Sequence, residues 1–536
     1  MTDTQKELLR LYEEITVICD KYDIVYYLAG GTLIGALRHK GFIPWDDDLD
    51  IMMSRDNWLR FIEAYKKEKP QNRVLECQEL NRNYNNVFGR YIDTETTAIH
   101  KNELVGDCGT GYLIDIIPLD PVPDEDTFRR YTEDMLLYSD LINETGLFSY
   151  RYGINRERFH EALKRTETEG KDAVLSELED RMFSYDEDKC DYCVLRWGGV
   201  PFMFEKDLYG HSRWGEFEGI KSRIPDRASD YLVRHFGDEW TTIPPHDEQI
   251  EHDAIFSLDI DYRTFKEDYM PLVDADAVRK KWLERKKLYF SSMESRRKLA
   301  EIKVRSTAEL RRLEINRILD KEGANIPSLL SNGDYKALSD IFEDYFRAQF
   351  DRDLIGREDY GGMQRFVSPV LIDIPDDVLH AAAITLINTN RVSKAHRLLE
   401  IRKQVRGELT PELEGAERKI AQFRRIISDY DAGLIKQAET EAEEMYADNP
   451  SMISLEMFLC RVYLETGKAD KAIRLIEKCI SEYPKEGYFK KYKGDYYLNE
   501  KADVGTAKKL YAEAQKTSDN GMVLLEIKET LERING

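Results

Sequence analysis

From Gly433 onward the sequence returns to itself every 34 residues: Gly433 and Gly467, Ala438 and Ala472, Pro450 and Pro484, Tyr463 and Tyr497, and Leu464 and Leu498 all keep that spacing. A period of this length makes one pair of helices. A single pair cannot bury its own apolar face, so successive pairs must stack. Small residues stand where the helices pack, and proline stands at the repeat end. "LETGKADKAIRLIEKCISEYP" is the clearest copy. "LLSNGDYKALSDIFEDYF" and "INTNRVSKAHRLLE" read as weaker copies upstream, with Ala337 and Ala395 at the packing position. The pattern predicts an all-α solenoid over residues 321–536.

This period and its residue pattern resemble the tetratricopeptide repeat. The resemblance implies an array that binds a protein partner or self-associates, and the alternative is a purely structural helical tail. Ahead of it, "RKKWLERKKLYFSSMESRRKLAEIKVRSTAELRRL" carries dense Lys, Arg and Glu at helical spacing. It reads as a charged helical linker over residues 266–320, either a solvated connecting helix or a basic surface for an acidic partner.

At 536 residues the chain is too long for one core and predicts two or more domains. A formal net charge of −23 argues against a general nucleic-acid surface. No apolar run approaches the roughly 20 residues that span a bilayer. The start, "MTDTQKELLRLYEEI", is charged and helical in pattern, unlike a signal peptide. Seven scattered cysteines fit a reducing cytoplasm rather than a disulfide framework. Cys190 and Cys193 form a lone C-x-x-C without the second pair a zinc site needs, so they read as free thiols. The expected location is cytoplasmic, at most peripheral at the inner face of the membrane.

The first ~265 residues alternate helical and strand patterns. Thr4 to Lys21 reads as an amphipathic helix with Leu8, Leu9, Tyr12 and Ile15 on one face. "IVYYLAG" reads as a short strand, the Gly30-Gly31-Thr32 turn follows, and "TLIGALRHK" reads as a helix. "DLDIMM", "VFGRYIDTETTAI" and "GYLIDIIPLD" read as strands. Asn155 to Lys189 is helical and highly charged. This predicts an α+β domain over residues 1–265, a mixed sheet with flanking helices.

Asp46, Asp47, Asp48 and Asp50 crowd four carboxylates into five positions. Carboxylates this close repel one another unless something positive sits between them. On a strand Asp48 and Asp50 would point the same way, which suits one or two hard cations such as Mg²⁺ or Mn²⁺. Asp115, flanked by Ile114 and Ile116, is an acid on an otherwise apolar strand, costly unless it is ligated or paired. The glycines let backbone N–H groups approach a phosphate, Thr32 can add a hydroxyl, and Arg38, His39 and Lys40 could balance a diphosphate. A solvated turn is the plain alternative. An EF-hand loop fails on its missing glycine and its missing glutamate at position 12.

"GGTLIGALRHKGFIPWDDDLDI" resembles the signature of the LicD family, and its Gly-Gly and D-x-D elements resemble the wider nucleotidyltransferase superfamily. "FGRYIDTETT", "GTGYLIDIIPLD" and "FEGIKSRIPDRASDYLVRHFGDEWTTIPP" resemble later family segments, in family order. The resemblance implies a nucleotidyltransferase-like catalytic domain that transfers a phospho-alcohol, such as phosphocholine, from a CDP-activated donor to a glycan or teichoic-acid sugar. It implies metal at Asp48, Asp50 and Asp115, with Asp115 as the base, and donor phosphate at Gly30, Gly31 and Thr32. Asp46 would be a further ligand or would position Arg38. His211, Trp214, Tyr231, Trp240 and His246 read as core or cap residues first and as alcohol-binding candidates second. Two alternatives stand beside this: transfer of NMP from an NTP to a small molecule or protein, and a non-catalytic repeat scaffold with a degenerate nucleotide-binding domain.

Overall fold

The computed structural model describes residues 1–100, 109–143, 156–197, 200–210, 212–244, 254–269, 308–350, 371–484, 486–518 and 520–535, with 249 and 306. The elements fall into two compact units, one α+β and one helical.

The α+β unit opens with α1 (Asp3–Lys21), started by a capping box in which Thr2 and Gln5 satisfy each other's backbone N–H groups. Its buried stripe is Leu8, Leu11, Tyr12, Ile15 and Ile18. Leu11 takes the place expected for Leu9, because 8, 11, 12 and 15 follow the helical period and 9 does not. Next come β1 (Tyr27–Leu28), α2 (Gly30–Arg38), β2 (Asp50–Ser54), α3 (Arg55–Glu68), β3 (Arg73–Glu76), β4 (Gly89–Asp93), β5 (Thr97–His100) and β6 (Leu113–Val122). α4 (Glu125–Ile142), α5 (Arg156–Glu169), α6 (Lys171–Phe183), β7 (Tyr192–Trp197) and β8 (Val200–Glu205) follow. The hairpin β9 (Arg213–Phe217) and β10 (Ile220–Ile224), α7 (Ala228–Phe236), β11 (Ala254–Ser257) and α8 (Tyr262–Tyr269) complete the unit.

Seven strands make one mixed sheet in the order β1-β2-β6-β4-β3, with β7 and β8 continuing from β6. β2 and β6 are parallel, and the other pairs in the sheet are antiparallel. β6 is the long central strand: residues 113–116 pair with β4 and 119–122 with β7. Pro118 falls at this changeover, where a missing N–H costs least. Ile51, Met52 and Met53 are all fully buried, so β2 is covered on both faces. The pattern read as alternating therefore belongs to a central strand. Two further differences concern the first motif. α2 begins at Gly30, so the glycine pair forms its first turn rather than preceding it, and Gly30 has φ +50°, which favours glycine. β2 begins at Asp50, leaving Asp48 in the segment before it.

The helical unit contains α9 (Ile326–Asn332), α10 (Tyr335–Gln349), α11 (Asp376–Asn388), α12 (Val392–Arg406), α13 (Pro411–Asp431), α14 (Ile435–Asp448) and α15 (Ile453–Glu465). α16 (Ala469–Glu482), α17 (Gly487–Glu500), α18 (Val504–Thr517) and α19 (Gly521–Asn535) end it. Helix starts at 435 and 469, and at 453 and 487, keep the 34-residue period. Gly433 and Gly467, at φ +80° and +71°, close helices in the left-handed conformation. Ala438, Ala472 and Ala395 are fully buried. Ala337 is only half-buried, and its neighbour Leu338 fills the core there. Among the described residues no helix is long and apolar enough to cross a membrane.

Candidate active site

The segment 39–49 between α2 and β2 is held from three sides. Buried Gln5 of α1 donates through Nε2 to the carbonyls of Asp46 at 2.9 Å and Ile43 at 3.3 Å. Glu218, at the turn of β9–β10, accepts from Phe42 N at 3.0 Å, and its own N–H donates to Lys40 O at 2.8 Å. α2 itself lies so close that a Cβ on Gly35 would stand 2.4 Å from Gly41 O. The aspartates are thus displayed on a fixed loop.

Asp50 and Asp115 lie side by side in register on the parallel strands β2 and β6. Asp50 is 3% exposed. Burial, then the charges of Asp48, Asp115 and Asp46, push its carboxyl well above the usual range, while Arg90 pulls it down. Arg90 stands opposite Asp115 on β4 and donates through Nε to its Oδ1 at 3.0 Å. The site therefore gathers three acids around one buried carboxyl, with one arginine beside them. Among the described residues no three acid, His or Cys side chains are arranged to hold a metal ion as they stand. The donor chemistry nonetheless suits a hard divalent cation. Asp48, Asp50 and Asp115 offer only carboxylate oxygens, and the mutual repulsion that raises Asp50 is what such a cation relieves.

The phosphate-side residues divide. Thr32 is buried, and its hydroxyl accepts from Asp50 N at 2.9 Å, tying α2 to β2. Gly30 is buried beneath Tyr231 of α7, whose hydroxyl is influenced by the Gly30 backbone. Gly31 is half-buried, and a Cβ there would meet Asp46 Oδ2 at 3.2 Å. The Asp46 carboxylate thus stands at the N-terminus of α2, where the helix dipole favours it. Arg38 is buried; desolvation draws its pKa down to about 10, and the charge of Asp46 works against that. Its Nε donates to Nε2 of His39 at 3.0 Å.

Of the closing-segment residues, Tyr231 and Trp240 are buried, Trp214 is exposed, and His211 and His246 lie outside the described residues. Gln5, Arg90 and Glu218 were not singled out from the sequence. Arg90 carried a signal, a cation inside the second resembling segment. The other two act across long sequence separations and carried none. A cavity of about 200 Å³ opens elsewhere, lined by Arg55, Trp58, Glu79, Phe183 and Arg196 among others and by none of the three aspartates. Its arginines are neutralised by fully buried Asp120 (Arg55 Nε at 2.7 Å, Arg196 Nε at 2.9 Å) and by Glu79, so they hold the fold together there.

Residues 23–107 match the family model of the LicD/FKTN/FKRP nucleotidyltransferase domain. The lipopolysaccharide cholinephosphotransferase LicD of Haemophilus influenzae is 28% identical over 269 residues, 47% of this chain and 95% of that protein. An uncharacterised protein of Rickettsia typhi is 39% identical over 61 residues, 11% of this chain and 20% of its own length. Among solved structures, the tetratricopeptide-repeat domain of P58(IPK) overlaps at 12% identity, covering 52% of this chain and 71% of that one at a TM-score of 0.26. Residues 23–107 therefore carry the likeness to the LicD/FKTN/FKRP nucleotidyltransferase domain.

Proposed function

We propose that this protein transfers a phospho-alcohol, with phosphocholine the leading candidate, from a CDP-activated donor to a sugar hydroxyl of a cell-surface glycan, releasing CMP. The observation that carries this is the pairing of Asp50 with Asp115 on adjacent strands at the foot of α2, within a chain of which 47% is similar to a cholinephosphotransferase, along 95% of that protein's length. Asp48, Asp50 and Asp115 would hold Mg²⁺ or Mn²⁺, which when bound supplies charge neutralisation for the donor diphosphate. A donor phosphate at Gly30, Gly31 and Thr32 would approach through half-buried Gly31, and the Asp46 carboxylate beside it would have to be neutralised by the bound cation for that anion to enter. Arg90 holds the Asp115 carboxylate in place through its Nε at 3.0 Å, and Asp115 would take the proton of the attacking hydroxyl. Most of the rate would come from positioning and electrostatics. The catalytic region would be residues 1–265, working in the cytoplasm or at the inner membrane face, with the repeats engaging a protein partner or another copy.

The test is to incubate the protein with Mg²⁺ or Mn²⁺, a panel of CDP-alcohols (choline, ethanolamine, glycerol, ribitol) and crude surface glycan, and to follow CMP. Release from one donor, lost by about 10³-fold or more in Asp50→Asn, is the expected result. Pyrophosphate appearing from an NTP with no CMP from any donor would replace this reading with nucleotidyl transfer.

A further inference from the structure

The hairpin β9–β10 turns through Glu218 and Gly219, both at positive φ, in a two-residue loop. Period-two alternation divides its faces. Phe217, Ser222 and Ile224 are buried. Trp214 and Glu216, with their cross-strand partners Arg223 and Lys221, share the other face. Trp214 is 47% exposed, which departs from the core or cap position expected from the sequence. Two cations lie over its ring: Lys221 Nζ at 4.2 Å and the Arg223 guanidinium at 4.5 Å from the centroid. Lys40 joins the same face through an ion pair with Glu216 at 3.7 Å. The turn residue Glu218 grips Phe42 and Lys40, so this face adjoins the loop that carries the aspartates.

We propose that this face is the acceptor subsite: Trp214 stacks on a sugar ring of an anionic glycan, and Lys221 and Arg223 meet that glycan's phosphate groups. The proposal rests on the transferase reading given above and adds where the acceptor sits. Its chemistry is selective. An exposed indole offers a flat apolar face suited to the C–H face of a sugar. The same ring would otherwise attract a quaternary ammonium, but the positive charges of Lys221 and Arg223 beside it repel a third cation, whereas a sugar carries no such charge. Choline is therefore excluded here and an anion is favoured. In a chain of net charge −23, a cationic cluster around an exposed aromatic also gives an anionic ligand a local foothold against general repulsion.

The test measures binding to the full-length protein by calorimetry. The probes are a phosphorylated oligosaccharide, the same oligosaccharide dephosphorylated, and choline chloride. The expected order is phosphorylated above neutral, with choline not bound at this face. Trp214→Ala should weaken both oligosaccharides by about tenfold, while Trp214→Phe stays within about threefold of the parent. Lys221→Gln with Arg223→Gln should weaken only the phosphorylated probe and flatten its salt dependence, a split that simple misfolding does not produce. Equal binding by parent and Trp214→Ala overturns the proposal, as does failure of the parent to bind the phosphorylated probe. Choline binding lost in Trp214→Ala overturns it too. CMP release from CDP-alcohols is read separately. Glycan binding through Trp214 without CMP would reject the transferase reading and keep the subsite, and CMP without Trp214-dependent binding would do the reverse.

Discussion

At the residue scale, His235 shows how burial turns a titrating group into a pH-dependent contribution to stability. It lies buried on α7, its Nδ1 3.0 Å from the Tyr231 hydroxyl, and desolvation depresses its pKa from 6.5 to about 4. A depressed imidazole is neutral in the folded protein while the unfolded chain takes up a proton. Its contribution is therefore complete above pH 6.5 and is lost as the pH falls from 6.5 to 4. By linkage this amounts to about 3 kcal/mol at most. Urea titrations at pH 7 and pH 4.5 should show the parent losing stability over this range. His235→Phe should start lower at pH 7, having lost the Tyr231 partner, and fall less steeply. An unchanged slope in the variant would place the acid sensitivity elsewhere. Tyr231 stands between His235 and Gly30, so the loss would be felt at the first turn of α2.

At the element scale, the pieces of the site were legible in the sequence and their fastening was not. Charge crowding at Asp46, Asp47, Asp48 and Asp50, the glycine pair and the lone acid of β6 are local features that any reader of the chain can find. The 34-residue period is likewise periodic and local, and α14 to α17 follow it. The start of β2 at Asp50 and the placing of Gly30 inside α2 depend on neighbours: Thr32 claims Asp50 N, and Tyr231 covers Gly30. Gln5 reaches the aspartate loop from 41 residues away and Glu218 from 176, distances over which no sequence pattern points. Gln5 is thus a positioning residue for the loop. Gln5→Ala would leave the buried carbonyls of Ile43 and Asp46 without its amide. We expect a loss of about 1–2 kcal/mol in stability and on the order of tenfold in CMP release. Gln5→Glu should not restore activity, because a carboxylate would face those carbonyls without a donor. Chemical denaturation together with the CMP assay distinguishes loosening of the loop, where activity falls at temperatures well below melting, from simple instability, where it does not.

For the whole molecule, the consequence of two compact units is separable stability. The helical unit has its own continuous core, running from Ile326 and Leu338 through Leu379, Leu398 and Leu413 to Leu459, Ile476 and Phe489. The α+β unit has another under its sheet, built on Val122, Met135, Leu175 and Val194. None of the three candidate catalytic acids belongs to the helical core. Stacked repeats transmit stability mainly to their neighbours, so a fault in the middle of the array should spread along it. Ala472→Asp places an unpaired charge at a fully buried position where two helices pack, at a cost of several kcal/mol. Calorimetry of the full chain should resolve two transitions, with only the one belonging to the repeats lowered by this substitution. Donor-side CMP release at a temperature between the two midpoints should persist in Ala472→Asp and be absent in Asp50→Asn. If Ala472→Asp abolishes CMP release while the α+β transition is unmoved, the repeats take part in the reaction itself, and the reading of them as an interaction module must be replaced.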